Sequence, residues 1–242
     1  MDTVEFRSLH VNQSGFSPVF DLSLTIGQGE CVALFGEKEA DTVLALLSGF
    51  CEPDAGEGSV MGYDLGKQTE KIRHLTSFLP DADGASPRLS VSENIELFLR
   101  LCGKKKKEAA ERAMRLMASF DLLEKATVPA ASLSQGYRKR LSLALAQASD
   151  PALLLLKTPL KDLSTHQKRE VLDLLAKRKG KCTTVFSTQD PFVAAALGDR
   201  IAIFKDGALV AFDRTQALLT KTATNRLSDA IAVLLKEEEG AK

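Results

Sequence analysis

The residues with the strongest claim on chemistry are Gly36-Glu37-Lys38-Glu39-Ala40-Asp41-Thr42-Val43, set between the apolar run CVALF and a helical pattern. A strand-to-helix loop suits phosphate, because free backbone N–H groups at a helix start attract anions. Cradling a nucleotide's phosphates there takes several glycines, a Lys for the terminal charges and a Ser or Thr hydroxyl for Mg²⁺. This stretch has one glycine and no Lys-Ser/Thr pair; Glu37, Glu39 and Asp41 are opposed only by Lys38. Two like charges ~4 Å apart repel by about 4 kcal/mol at an effective dielectric near 20. Micromolar binding is worth only ~8 kcal/mol, and a helix start returns roughly 0.3 to 1 kcal/mol. Repulsion wins, and no nucleotide is expected in this loop. The same carboxylates serve as caps for a helix at Thr42, which also fills the space a polyphosphate needs.

Other chemistries are excluded more simply. Cys31, Cys51, Cys102 and Cys182 lie far apart with no CxxC, and read as small buried residues of a reducing compartment. His10, His74 and His166 are scattered, so neither a metal centre nor a Cys/His nucleophile is expected. Lys+Arg and Asp+Glu both number 32, which gives no basic excess for a nucleic acid. The apolar runs fall short of the roughly 20 residues that span a bilayer, and MDTVEFRSL is no signal peptide. The 242 residues, 44% hydrophobic, suffice for a sizeable core.

The elements that position the loop are read from periodicity. Period-2 segments at 4–11 and 20–26 predict a small antiparallel unit, and Cys31 to Phe35 predicts a strand buried on both faces. A helix is predicted over 42–47, ending at Gly49. A second βαβ pattern follows late: strand 153–157, helix 165–179, strand 183–187, helix 191–197 and strand 200–204. Between them, 90–149 shows helical i, i+3, i+4 spacing, so an all-α lobe is inserted in an α/β core. Lys104 to Lys107 reads as a solvated helix start before Glu108 and Glu111 rather than a phosphate or lipid patch. Residues 225–239 place Leu227, Ala230, Ile231, Leu234 and Leu235 on one helical face, packed on the same chain or on a twin.

Four segments in order, VALFG, LLSGF, SLSQGYRKRLSLALAQASDPALLLL and DRIAIFKDGALVAFD, resemble the nucleotide-binding subunit of an ATP-binding cassette (ABC) transporter over nearly the whole chain. The resemblance implies an α/β, P-loop NTPase-like, mostly parallel sheet with an N-terminal antiparallel β unit and an inserted all-α lobe. It implies one domain, with the core at 1–86 and 150–222, the helical lobe at 87–149 and a C-terminal helix at 223–242. Against the family pattern the phosphate loop is about two residues short.

Departures at the family's functional positions are more telling. Lys157 and Thr158 stand where the family has the Mg²⁺-holding Asp and the catalytic Glu; Asp81 stands for the Mg²⁺-sensing Gln, Ser164 for the Asp of the SGLD turn and Gln189 for the switch His. Lys cannot bind a cation and Thr is no base at neutral pH. Lys157 is expected to pair with Asp41, Glu39 or Asp81. Ser134, Gln135 and Gly136 retain the signature motif, which in the family closes on the ATP of the opposite subunit. Phe16 is a candidate adenine-stacking ring, though a buried loop Phe fits its spacing better.

These departures imply a subunit that holds no ATP or Mg²⁺ in its own phosphate loop; both could enter only at a shared interface. Its expected partners are an active ABC ATPase subunit, as hetero- or homodimer, and a transmembrane permease subunit, with the chain cytoplasmic and peripheral on the inner membrane face. A divergent working ATPase and a nucleotide-independent dimeric scaffold are the alternative readings.

Overall fold

Alternation of apolar residues builds the first sheet. Val4, Phe6, Leu9 and Val11 of β1 (Asp2–Val11) and Leu22, Leu24 and Ile26 of β2 (Val19–Gly27) are all buried, and the strands pair antiparallel. The computed structural model describes residues 2–36, 38–81 and 84–237. β4 (Ala55–Val60) and β5 (Tyr63–Asp64) extend this sheet in the order β2-β1-β4-β5. β1 is bulged opposite β4: Arg7 pairs with Glu57 and His10 with Ala55, and Ser8 between them takes a left-handed φ of 43°.

The second sheet has six strands, formed by β3 (Cys31–Phe35), β6 (Thr76–Leu79), β7 (Leu153–Leu156), β8 (Thr183–Thr188), β9 (Arg200–Lys205) and β10 (Ala208–Asp213). Their order is β10-β9-β3-β8-β7-β6; every pair is parallel except β9 with β10. Both faces are covered: Cys31, Ala33, Leu154 and Leu156 join one core, while Val32, Leu34, Leu153 and Leu155 join the other. This is why continuous apolar runs were needed, since each buried Leu contributes about 1.5–3 kcal/mol. The fold is therefore the α/β arrangement expected.

Helices fill in the connections. α1 (Lys38–Leu47) follows β3, and α2 (Thr69–Leu75) precedes β6. α3 (Val91–Leu101), α4 (Lys106–Ser119) and α5 (Gln135–Ala146) lie between β6 and β7. α6 (Thr165–Ala176), α7 (Pro191–Leu197), α8 (Thr215–Thr222) and α9 (Leu227–Glu237) complete the chain. Ser90 and Glu93 form a full capping box at the start of α3. Arg140, on α5, bridges Asp121 and Glu170 and so ties the helical segment to α6.

Several expectations change. α1 begins at Lys38, not Thr42, because Lys, Glu and Ala form helix readily and Glu39 and Asp41 suit a positive helix start. β4 and β10 were not anticipated. Cys102 is exposed in the α3–α4 turn rather than buried. α9 buries Leu227, Ala230, Ile231 and Leu234 against its own chain, near α7, α8 and β10, and its expected end at 238–239 lies outside the described residues. No helix among the described residues is long and apolar enough to cross a membrane.

Glu30 anchors the turn between β2 and β3: its carboxylate accepts from Arg200 (Nη2, 2.7 Å) and from the Gly27 N–H (2.9 Å). Burial raises the Glu30 pKa, but Arg200 and the Gly27 N–H more than offset it, so the carboxyl titrates below its usual 4.5. A depressed carboxyl stabilises the fold above its unfolded pKa and loses that contribution as pH falls through the folded value. Glu30→Gln is therefore expected to lower stability by about 1–3 kcal/mol at neutral pH and to flatten the acid loss below pH 4.5. Thermal melts of both proteins from neutral pH down to about pH 3 check this; parallel curves would remove Glu30 as the cause.

Candidate functional site

Register brings the candidate residues together. Phe35 aligns with Thr188 and Leu156 with Phe186, so the chain leaves β3, β7 and β8 at one sheet edge, with the end of β6 beside β7. That edge carries Gly36, Lys157, Gln189 and Asp81, the place where open α/β sheets bind ligands. A cavity of about 260 Å³ there is lined by Gly36, Lys38, Asp41, Asp81, Lys157, Thr158 and Gln189 among others.

The cavity is crossed by internal polar contacts. Lys157 Nζ donates to Asp41 Oδ2 at 2.8 Å, a half-exposed pair worth no more than about 1 kcal/mol. Its weight is spatial, because the ammonium and the carboxylate meet over the start of α1. Asp81 accepts from the Thr158 hydroxyl (2.9 Å) and from Lys161 Nζ (3.0 Å). Burial raises the Asp81 pKa, yet these two donors hold the carboxyl below its ordinary range, so it is an anion at neutral pH. Thr158 has φ +41°, a left-handed conformation costly for a β-branched residue. Its N–H donates to Ser187 Oγ (3.1 Å), which helps hold it there.

Other expected residues are placed elsewhere. Glu39 faces β9 and β10: its Oε1 accepts from the Gly207 N–H at 3.3 Å, beside a second cavity bordered by Gly36, Phe204 and Leu235. Thr42 is buried, and its hydroxyl donates to Ser17 O (2.9 Å) and Lys38 O (3.3 Å), away from the cavity. Ser164 forms a capping box with Gln167 at the start of α6. Phe16 is half-buried and packs on the core beneath the first sheet, consistent with the loop reading. Glu37 lies outside the described residues. Lys161 and Ser17 were not singled out from the sequence, and Ser187 was read only as the end of the predicted strand 183–187.

The loop itself is short. β3 ends at Phe35 and α1 is formed from Lys38, whereas a phosphate-cradling pattern places about six residues before the lysine that opens the helix. At Gly36 a Cβ would meet Phe204 Cβ at 3.1 Å, so the strand end is closely packed.

Ser134, Gln135 and Gly136 sit at the start of α5 and do not line the cavity. Ser134 is the N-cap, as Ser90 and Ser164 are in their helices, but it makes no side-chain cap bond and is exposed. Gly136 packs against Gln167 of α6, where a Cβ would meet Cγ at 3.2 Å. The basic residues that follow do not face outward as a cationic first turn: Lys139 and Arg140 are each 7% exposed, and Arg138 Nη1 donates to Leu133 O.

A family model described as ABC transporter matches residues 19–161. The chain is 32% identical over 217 residues to the cobalt import ATP-binding protein CbiO of Rhodobacter capsulatus, covering 87% of this chain and 78% of that one. It is 32% identical over 233 residues to the spermidine/putrescine import ATP-binding protein PotA of Pseudomonas aeruginosa, covering 94% of this chain and 64% of the other's length. A dimeric ATP-binding cassette solved in a post-hydrolysis state bound to ADP and Pi superposes with a TM-score of 0.73 at 25% identity, over 87% of this chain and 98% of that one.

Proposed function

The chain belongs to the ABC transporter family as a nucleotide-binding domain, and from that premise we propose that it no longer binds or hydrolyses ATP at its own site and instead completes the site of an active cassette partner. The observation that carries the reading is the two-residue passage from β3 to α1, roofed by the Lys157–Asp41 pair. ATP with Mg²⁺ does not fit these residues: the loop offers too few N–H groups, Thr42 is turned inward, and Lys157 stands at a cation-holding position. Phosphoryl transfer depends on charge and positioning from such parts, and losing one alone can cost ~10³-fold or more.

The completing role is supported by the uncapped Ser134. A serine kept only to start a helix would cap it, as Ser90 and Ser164 do; Ser134 instead leaves its hydroxyl and the first N–H groups of α5 open to an anion brought by another subunit. In this reading the core (1–86 and 150–222), the helical lobe (87–149) and the C-terminal helix (223–242) form one domain. The chain sits peripherally on the inner membrane face against a permease subunit, a role suggested by the import proteins it is similar to.

Calorimetric titration of the chain with Mg-ATP tests the first half. The expected result is no saturable heat at affinities tighter than about 10 μM, roughly −7 kcal/mol. A tighter, magnesium-dependent isotherm would restore the reading of a divergent working ATPase.

A further inference from the structure

The turn between α3 and α4, read from the sequence as a solvated helix start, carries more positive charge than a helix start uses. Arg100, Lys104, Lys105, Lys106 and Lys107 lie within eight residues that contain no carboxylate, in a chain whose total charge is zero. Lys105 is the N-cap of α4 and makes no side-chain cap bond, and Lys106 and Lys107 occupy the first turn. Cations are misplaced there, because the helix start already carries a partial positive charge. Lys104 is answered by Glu108 at 2.8 Å; Lys105, Lys106 and Lys107 have no ion pair among the described residues. Beside them Leu101 is 74% exposed, the most exposed large apolar side chain described, and Leu97, one turn earlier on α3, is 41% exposed.

We propose that this hairpin tip, Arg100 to Lys107, is a contact site for an anionic lipid bilayer surface. A row of flexible lysines attracts acidic headgroups without requiring fixed geometry, and a protruding leucine enters the boundary between headgroups and acyl chains. Neither cavity described above is lined by these residues; a flexible basic surface with one exposed apolar side chain suits a fluid interface. The site is independent of what the nucleotide pocket holds, so its failure would leave the proposed function standing.

Flotation of the full chain with vesicles of phosphatidylcholine alone, or of phosphatidylcholine and phosphatidylglycerol in equal parts, tests it. Binding is expected to the anionic vesicles only and to weaken with added salt. Each lysine near such a surface is worth about fivefold in partitioning, so K105E/K106E/K107E should lose about 100-fold or more. Glutamates suit a helix start, so that variant should melt no lower than the parent; K105Q/K106Q/K107Q provides the charge-neutral counterpart. Leu101→Ser should lose about tenfold. Equal binding to both vesicles, binding to neither, or no loss in the lysine variants would overturn the proposal. Anionic binding indifferent to Leu101→Ser would overturn the insertion of that side chain into the interface.

Discussion

Replacing Ser134 by arginine should, under the proposed function, reduce the ATPase rate of an active cassette partner by about two to three orders of magnitude, the usual effect of removing a preorganised donor from developing phosphate charge. The hydroxyl is exposed and makes no cap bond, so the loss cannot be charged to unfolding of α5. An arginine at this point fills the space in front of the helix start and removes the short donor. The measurement is steady-state ATP hydrolysis by the reconstituted pair, with kcat and KM resolved and the thermal midpoint of the variant in parallel. A collapse in kcat with an unchanged midpoint is the expected outcome. An unchanged rate would favour the nucleotide-independent scaffold, in which this surface has no chemical role.

The second large effect concerns the fold. Gly56 has φ +88° and lies opposite the bulge in β1; a Cβ there would stand 2.2 Å from Ser8 O and 2.8 Å from Arg7 O, both backbone atoms that have no rotamer to yield. Gly56→Ala is therefore expected to cost about 3 kcal/mol or more, from the combined left-handed strain and overlap. In a domain of this size each kcal/mol lowers the melting midpoint by roughly 2–4 °C, so a fall of about 6–12 °C should be seen. Gly62→Ala is the control: φ is +77° but a Cβ would meet nothing within 4 Å, so only the backbone cost of about 1 kcal/mol remains. Equal midpoints for the two variants would mean that the bulge relaxes freely.

Legibility from sequence followed the strength of the physical signal. β3 and α7 have the boundaries expected, the first because an unbroken apolar run stops at a glycine, the second because Asp190 caps a helix with Pro191 in its first turn. β4 escaped notice because AGEGSV holds two glycines and one buried residue; its pairing with β1, not its own pattern, makes it a strand. α1 was begun four residues late because Glu39 and Asp41 were read as caps before a helix at Thr42, whereas they lie inside its first turn. The gathering of Gly36, Asp81, Lys157 and Gln189 followed from strand order, which the resemblance supplied. The partners Lys161, Ser187 and Ser17 depended on side-chain directions that no linear pattern carries.

The brevity of the β3–α1 passage has a historical consequence. Exchanging one amino acid for another never lengthens a chain, so, under the proposed function, Lys157→Asp with Thr158→Glu would return familiar side chains to a passage made no longer by the change. Recovery demands an in-frame insertion, and the added residues would have to evict a lysine and an aspartate already seated against each other. Under the proposed function, descendants of this protein could vary its surface at will, while a return to burning fuel on its own would be shut to single-codon steps.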